Sequence, residues 1–357
     1  MRRAARIGAV GVGGVLLAAT LTLLIFSSSI GSWVVRRWGL PRVERLLGRE
    51  VTVGRVRVGF GRLLLEGLSV RGAADHPDTP LMAAARVAVD FDVLPILWGS
   101  LELGDAIVEE LRVVVRREGG GDNFTDLLER LRHNHRNDAS ESAAGSRLHL
   151  APARLLIVNG VAELYDAEQG ITGSAKITAN VRPRGKTTVT LEEVAVTSEF
   201  GPRANAAELE LTVDLAAPER TARLRLSGGS TTLWPGMTLT GIAGRLEPAR
   251  EAGRTQLQLE GGYGGVDGTL WHAGGWVDVD RRDAELRLAA DRFTLDRLAP
   301  ILSGTPVIRP EEAAIETSLN LIATDGDLEL RGAFGLSGLT IFDPWLAELP
   351  VPDLGFR

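Results

Sequence analysis

From Val51 onward the chain alternates apolar and polar residues with a period of two, the spacing of a strand that buries one face. In Arg86–Val93, Val87, Val89, Phe91 and Val93 share one face, with Asp90 and Asp92 on the other. In Glu208–Leu215, Leu209, Leu211, Val213 and Leu215 oppose Glu208, Glu210, Thr212 and Asp214. Leu224 and Leu226 stand against Arg223 and Arg225. The same pattern sets out Leu257 and Leu259, Leu286 and Leu288, and Ile315, Leu319 and Leu321. Over Val51–Phe60 the apolar phase slips from Val51 and Val53 to Val56, Val58 and Phe60, which predicts a bulge or tight turn near Gly54. One apolar and one polar face per strand suits an antiparallel sheet wet on one side. Gly228-Gly229, Gly261-Gly262, Gly264-Gly265, Gly274-Gly275 and Asp325-Gly326 read as turns between strands.

Helices are few. Gly39–Arg49 is one, with Pro41 in its first turn. Asn123–Arg132 is another, placing Phe124, Leu127, Leu128 and Leu131 on one face after Asp122 as N-cap. Phe293–Leu302 is a third. His133–Ser146 is polar and without period, a flexible linker between an N-terminal β unit (33–132) and a longer β-rich domain (147–357).

Ahead of the strands lies Ile7–Ile30, without a charge. At about 1.5 Å per residue it reaches about 36 Å, enough to cross a hydrocarbon core of about 30 Å. Residues 1–32 are therefore expected to be a short cytoplasmic N-terminus and a single transmembrane anchor. The bulk of the chain would lie in the periplasm. A cleaved signal peptide is the alternative, with Ala18-Ala19-Thr20 and Ser27-Ser28-Ser29 as small-residue sites. Trp33 and Trp38 fall where aromatic rings favour the membrane interface. Arg36, Arg37, Arg42 and Arg45 follow the span and are candidate contacts for anionic head groups. A solvated juxtamembrane helix is the plainer reading of the same residues.

Composition narrows the function. A formal net charge of −6 over 357 residues argues against a general nucleic-acid binder. With no cysteine there is no disulfide, thiolate nucleophile or cysteine-ligated metal. His133 and His135 sit in the linker, a poor metal site. Asp325-Gly326-Asp327 lacks the rest of a calcium loop and reads as a hairpin turn. Asp75, His76 and Asp78 have no nucleophile-elbow serine beside them. Glu192 and Glu193 are adjacent in a strand and so point to opposite faces. No catalytic residue, cofactor or metal is expected, and the chain reads as a non-enzyme.

The segment order of the first 132 residues resembles the AsmA-like family of Gram-negative envelope proteins, which includes the AsmA and TamB relatives. It consists of an uncleaved anchor, a short helix ending in LLGREVTVGRVRV (Leu46–Val58), then GRLLLEGLSVRG (Gly61–Gly72), then Leu81–Leu131. The resemblance implies an elongated, curved antiparallel sheet, taco-like, with an apolar groove. It also implies inner-membrane anchoring and a part in phospholipid movement or outer-membrane biogenesis.

Physical reasoning bears on the groove independently. A sheet with one continuous apolar face must cover that face with helices, a second sheet or lipid chains, and helical segments are few here. Val87, Val89, Phe91, Leu209, Leu211, Val213, Leu224, Leu226, Leu257, Leu259, Leu286, Leu288, Leu319 and Leu321 are the candidate groove lining. A closed sandwich or barrel with a filled core is the alternative. The expectation is a mainly β protein that binds membrane phospholipids, with other envelope proteins as possible partners and no nucleic acid. The alternatives are a non-catalytic envelope scaffold, or the N-terminal part of a larger envelope enzyme such as a peptidoglycan glycosyltransferase.

Overall fold

The computed structural model describes residues 32–33, 35–59, 61–72, 80–92, 101–118, 121–127, 148–149, 152–183, 185–199, 201–216, 221–249, 253–264, 266, 268–278, 281–325, 327–343 and 349–356. The apolar span 7–30, the linker 133–146 and Asp75, His76 and Asp78 lie outside them. Among the described residues no helix is long and apolar enough to cross a membrane, and 71% lie in strands. The chain folds as two compact units, one of residues 1–163 with 178–183 and the other of 164–177 with 184–357.

In the first unit a π-helical turn (Val35–Gly39) leads into α1 (Leu40–Leu47). Pro41 sits in the first turn of α1, where a missing N–H does no harm, and Gly48 ends the helix in the left-handed conformation. The antiparallel strands β1 (Val51–Gly59), β2 (Arg62–Val70), β3 (Met82–Phe91) and β4 (Leu101–Glu118) follow, each paired to the next. The short β5 (Gly121–Asp122) returns along β4, and β6 (Leu148–His149) pairs with β4 in parallel. Strands β7 (Arg154–Asp166) and β8 (Ile171–Val181) come next in the chain.

The phase slip at Gly54 is not a bulge in one strand. Register is continuous from Val53↔Leu68 to Arg55↔Glu66, from Leu68↔Ala84 to Glu66↔Arg86 and from Ala84↔Leu111 to Arg86↔Glu109. Each strand instead carries the slip at the same level, and Gly67 (φ 66°) and Glu110 (φ 53°) take left-handed backbone there. Ala84 and Val87, three residues apart, therefore lie in one cluster with Leu111, Leu65, Leu68, Val89 and Val108. A bulge in one strand alone would shift register against its neighbours.

The second unit contains β9 (Lys186–Ser198), β10 (Arg203–Asp214), β11 (Thr221–Trp234), β12 (Met237–Pro248), β13 (Thr255–Tyr263), β14 (Trp271–Asp278), β15 (Asp283–Thr294), β16 (Val307–Ile308), β17 (Ala314–Thr324), β18 (Asp327–Ile341) and β19 (Val351–Phe356). They form one open antiparallel meander from β9 to β15, then β17, β18 and β19, with β16 on β18. Thr324 pairs with Asp327, so β17 and β18 form the expected hairpin, with Gly326 itself outside the described residues.

Gly228-Gly229, Gly261-Gly262 and Gly274-Gly275 are not turns. They lie inside β11, β13 and β14. At Gly275 a Cβ would stand 1.8 Å from the Glu285 carbonyl, and at Gly261 it would meet the Trp271 indole at 2.6 Å. These glycines admit a close neighbour, a role that composition alone does not distinguish from a turn. The expected helix at Phe293–Leu302 begins later. Phe293 and Thr294 end β15, a 3-10 turn covers Leu295–Leu298, and α2 covers Ala299–Leu302.

Candidate apolar floor of the second unit

Cross-strand register assembles the predicted leucines into two unbroken rows on one face. One row runs Val189–Leu211–Leu224–Leu246–Leu257–Gly275–Leu286–Leu321–Leu330. The other, two residues along each strand, runs Leu191–Leu209–Leu226–Gly244–Leu259–Ala273–Leu288–Leu319–Gly332. Directly opposed residues share a face, as do i and i+2 along a strand, so the rows form one floor. Every member is apolar or glycine. At about 4.8 Å per strand, the rows extend for about 38 Å. Val213, opposite Ala222, lies on the same face one step further along.

The reverse face is polar. Between the rows it carries Thr190, Glu210, Arg225, Arg245, Gln258, Arg287, Asn320 and Arg331 in register. Arg245 Nε donates to Gln258 Oε1 at 2.7 Å, and Arg287 pairs with Glu285 at 2.7 Å. The hydrogen bond and charge of Arg287 hold the Glu285 carboxyl below its ordinary range.

The floor is not a filled core. No member of either row belongs to the buried core, and Leu211, Leu246 and Leu288 are exposed. In a closed sandwich the central members would face a second sheet about 10 Å away and be buried. Two glycines make the floor flatter: the Leu259 side chain occupies the place of a Cβ on Gly244, and Leu319 that of a Cβ on Gly332.

One side of the floor is bordered by a buried cluster at β11 to β15. Two residues beyond Ala273 and Leu288 stand Trp271 and Ala290, buried with Met237, Tyr263 and Leu270 and flanked by Trp234, Ile242 and Phe293. Tyr263 and Phe293 meet edge to face at 5.4 Å. The 3-10 turn pins this cluster: the Trp234 indole N–H donates to the Arg297 carbonyl at 2.9 Å, and Arg297 donates to the Gly264 carbonyl at 3.0 Å. The Arg297 guanidinium lies 5.1 Å from the centre of the Tyr263 ring. Burial pushes the Tyr263 phenol up from its ordinary value, against the pull of Arg297.

The first-unit candidates have a different setting. Val87 is buried and Val89 packs against the same cluster, while Phe91 is half-buried opposite Leu103. Of the candidate head-group residues, Arg36 donates to the Gly54 carbonyl at 3.1 Å and Arg45 to the Pro41 carbonyl at 3.3 Å. Arg36, Arg37, Arg42 and Arg45 are all exposed, as is Trp33. Asp122 caps the next turn as expected, accepting from the backbone of Phe124 at 2.8 Å and the Thr125 hydroxyl at 2.6 Å. That hydroxyl bond is the main cause of its lowered pKa. Among the described residues no cluster of three or more His, Asp or Glu side chains could hold a metal. Glu193, in left-handed backbone, pairs with Lys176 at 2.5 Å.

Sequence reasoning missed Val189, Leu191, Leu246 and Leu330 as floor members, although Leu246 alternates with Arg245, and Leu330 with Glu329 and Arg331. It also missed the aromatic cluster, whose members are scattered from Trp234 to Arg297. No protein-family model matches the chain, and no curated protein sequence matches it.

Proposed function

We propose that this chain is a membrane-anchored, AsmA-like envelope protein whose floor of leucines shields phospholipid acyl chains during lipid transport or outer-membrane biogenesis. The observation that carries the reading is the pair of uninterrupted apolar rows across β9 to β18, left partly open to solvent. Soluble surfaces seldom leave so wide a contiguous apolar strip uncovered unless something binds there. Acyl chains suit it because they need no hydrogen-bonding partner, and each buried CH2 contributes about 0.8 kcal/mol. The rows contain no charge that would disfavour a hydrocarbon, and the aromatic cluster borders them along one side. Arg36, Arg37, Arg42 and Arg45 would receive anionic head groups beside the anchor. The chemistry is non-covalent throughout, and the sheet serves as a surface rather than a catalyst.

The test is site-specific photocrosslinking in the full chain within its membrane. A photoreactive side chain at Leu211 or Leu246 is expected to capture phospholipid, identified by mass spectrometry. The same group at Arg225 or Arg245, on the reverse face, is expected to capture none. Equal capture from both faces, or none from the floor, sinks the proposal.

A further inference from the structure

The polar reverse face of the second unit holds a depression of about 350 Å³ over β13, β14 and β15. That volume lies at the small end of the about 300–1,000 Å³ usual for small-molecule sites. Register puts Gly274 at its centre, between Gln258 and Arg287. Trp276 and Glu285, opposed to each other, stand two residues along on one side, and His272 on the other. Neither backbone nor packing demands glycine at 274. Its backbone is not left-handed, and a Cβ would make only ordinary contacts, with the Leu257 carbonyl at 3.7 Å and Gln258 Cγ at 3.9 Å. The gap is therefore one that a side chain could fill and does not.

We propose that this depression is a saccharide-binding subsite that takes one ring of a neutral, hydroxyl-rich glycan. It lies on the face opposite the leucine floor, so the inference does not depend on what occupies that floor. The surroundings exclude the other ligand classes in turn. A polar lining gives an acyl chain no apolar bed. Strand β14 is paired along both sides, so no main-chain groups are free to take up a peptide as an added strand. Arg287, the arginine that lines the depression, is already paired with Glu285 at 2.7 Å, which removes the unbalanced charge that would select an anion. What remains suits a sugar. Glu285 offers acceptor oxygens and Arg287 donors, in the planar geometry that meets neighbouring hydroxyls. Gln258 Oε1 accepts from Arg245 at 2.7 Å, which leaves its amide NH2 to donate. His272 adds an exposed imidazole that both donates and accepts. The Arg254 guanidinium lies 3.7 Å from the centre of the Trp276 ring and steadies it. The indole surface that lines the depression then supplies an apolar contact for the C–H groups of the sugar.

The test is a glycan array probed with the full chain in a polyoxyethylene detergent, which brings no sugar of its own. Neutral oligosaccharides are expected to retain the protein, and phosphorylated or carboxylated ones to do no better. The best-retained neutral oligosaccharide is then titrated against variants by calorimetry. Gly274→Val, which fills the gap, and Trp276→Ala, which removes the apolar wall, should each weaken binding about tenfold or more. Arg225→Ala, on the same face but outside the depression, should bind as the parent chain does. Three outcomes overturn the proposal. One is an array on which no neutral glycan retains the protein. The second is a preference for anionic glycans. The third is neutral-glycan binding that Gly274→Val and Trp276→Ala leave intact. Circular dichroism separates loss of binding from loss of fold, and Trp276→Ala decides the matter if Gly274→Val does not fold.

Discussion

Leu321 and Leu330 stand directly opposite one another on β17 and β18, yet Leu321 is half-buried whereas Leu330 is 61% exposed. The two residues are chemically identical and share a face. Only the number of strands beside them differs, so leucine burial on this floor comes mainly from lateral neighbours and not from a second layer. That separates the floor from a packed core and leads to contrasting substitutions.

Leu211→Asp is expected to leave the sheet folded, with a stability loss below about 1 kcal/mol, because the new carboxylate remains in water. It should abolish lipid capture from a photoreactive group at Leu246, with which it shares a row. Val87→Asp, in the buried cluster of the first unit, should cost about 3 kcal/mol or more by leaving an unpaired charge in an apolar setting. Urea denaturation measures both. If Leu211→Asp unfolds the protein, that part of the floor is core and the lipid reading fails there.

The two glycines of β14 should behave differently although they are neighbours. An added methyl at Gly275 meets the Glu285 carbonyl at 1.8 Å, a backbone atom that cannot swing aside, whereas at Gly274 the nearest atom is 3.7 Å away. Gly275→Ala should destabilise the second unit by about 2 kcal/mol or more, and Gly274→Ala by well under about 1 kcal/mol. Thermal unfolding followed by tryptophan fluorescence reports on both, since Trp271 and Trp276 lie in the same strand. Equal midpoints for the two variants would show that the strand spacing there is looser than described.

The aromatic cluster should loosen in alkali. Burial raises the Tyr263 phenol above its ordinary 10.0, so the folded state holds the proton more tightly than the unfolded chain. Its contribution is complete below pH 10.0 and is lost as pH rises through the folded value. Tyr263→Phe removes the ionisable group and should flatten that alkaline limb of the stability profile while keeping the edge-to-face contact with Phe293. An unchanged limb in the variant would assign the alkaline loss to other groups.

Most strands could be read from the sequence, and so could the face on which each leucine lies. Alternation in Glu208–Leu215 and Ala284–Leu288 placed Leu209, Leu211, Leu286 and Leu288 correctly because side-chain direction in a strand follows from residue parity alone. Parity failed where left-handed backbone intervenes, as at Gly67, Glu110 and Glu193. Composition failed at Gly228-Gly229, Gly261-Gly262 and Gly274-Gly275, which lie inside strands, and where Gly228, Gly229, Gly261 and Gly275 answer to a close neighbouring strand and not to a turn.

The sequence by itself determined that this is a mainly β chain, with one apolar and one polar face to its strands and Asp122 as a helix cap. These are local properties, set by the residue and its near neighbours along the chain. Tertiary structure alone decided that leucines from strands far apart in sequence fall into two unbroken rows. It also decided that Trp234, Tyr263, Trp271, Phe293 and Arg297 gather beside those rows. Register, cross-strand glycine contacts and the number of flanking strands depend on which segments meet, and nothing in one strand's own residues encodes the strand beside it.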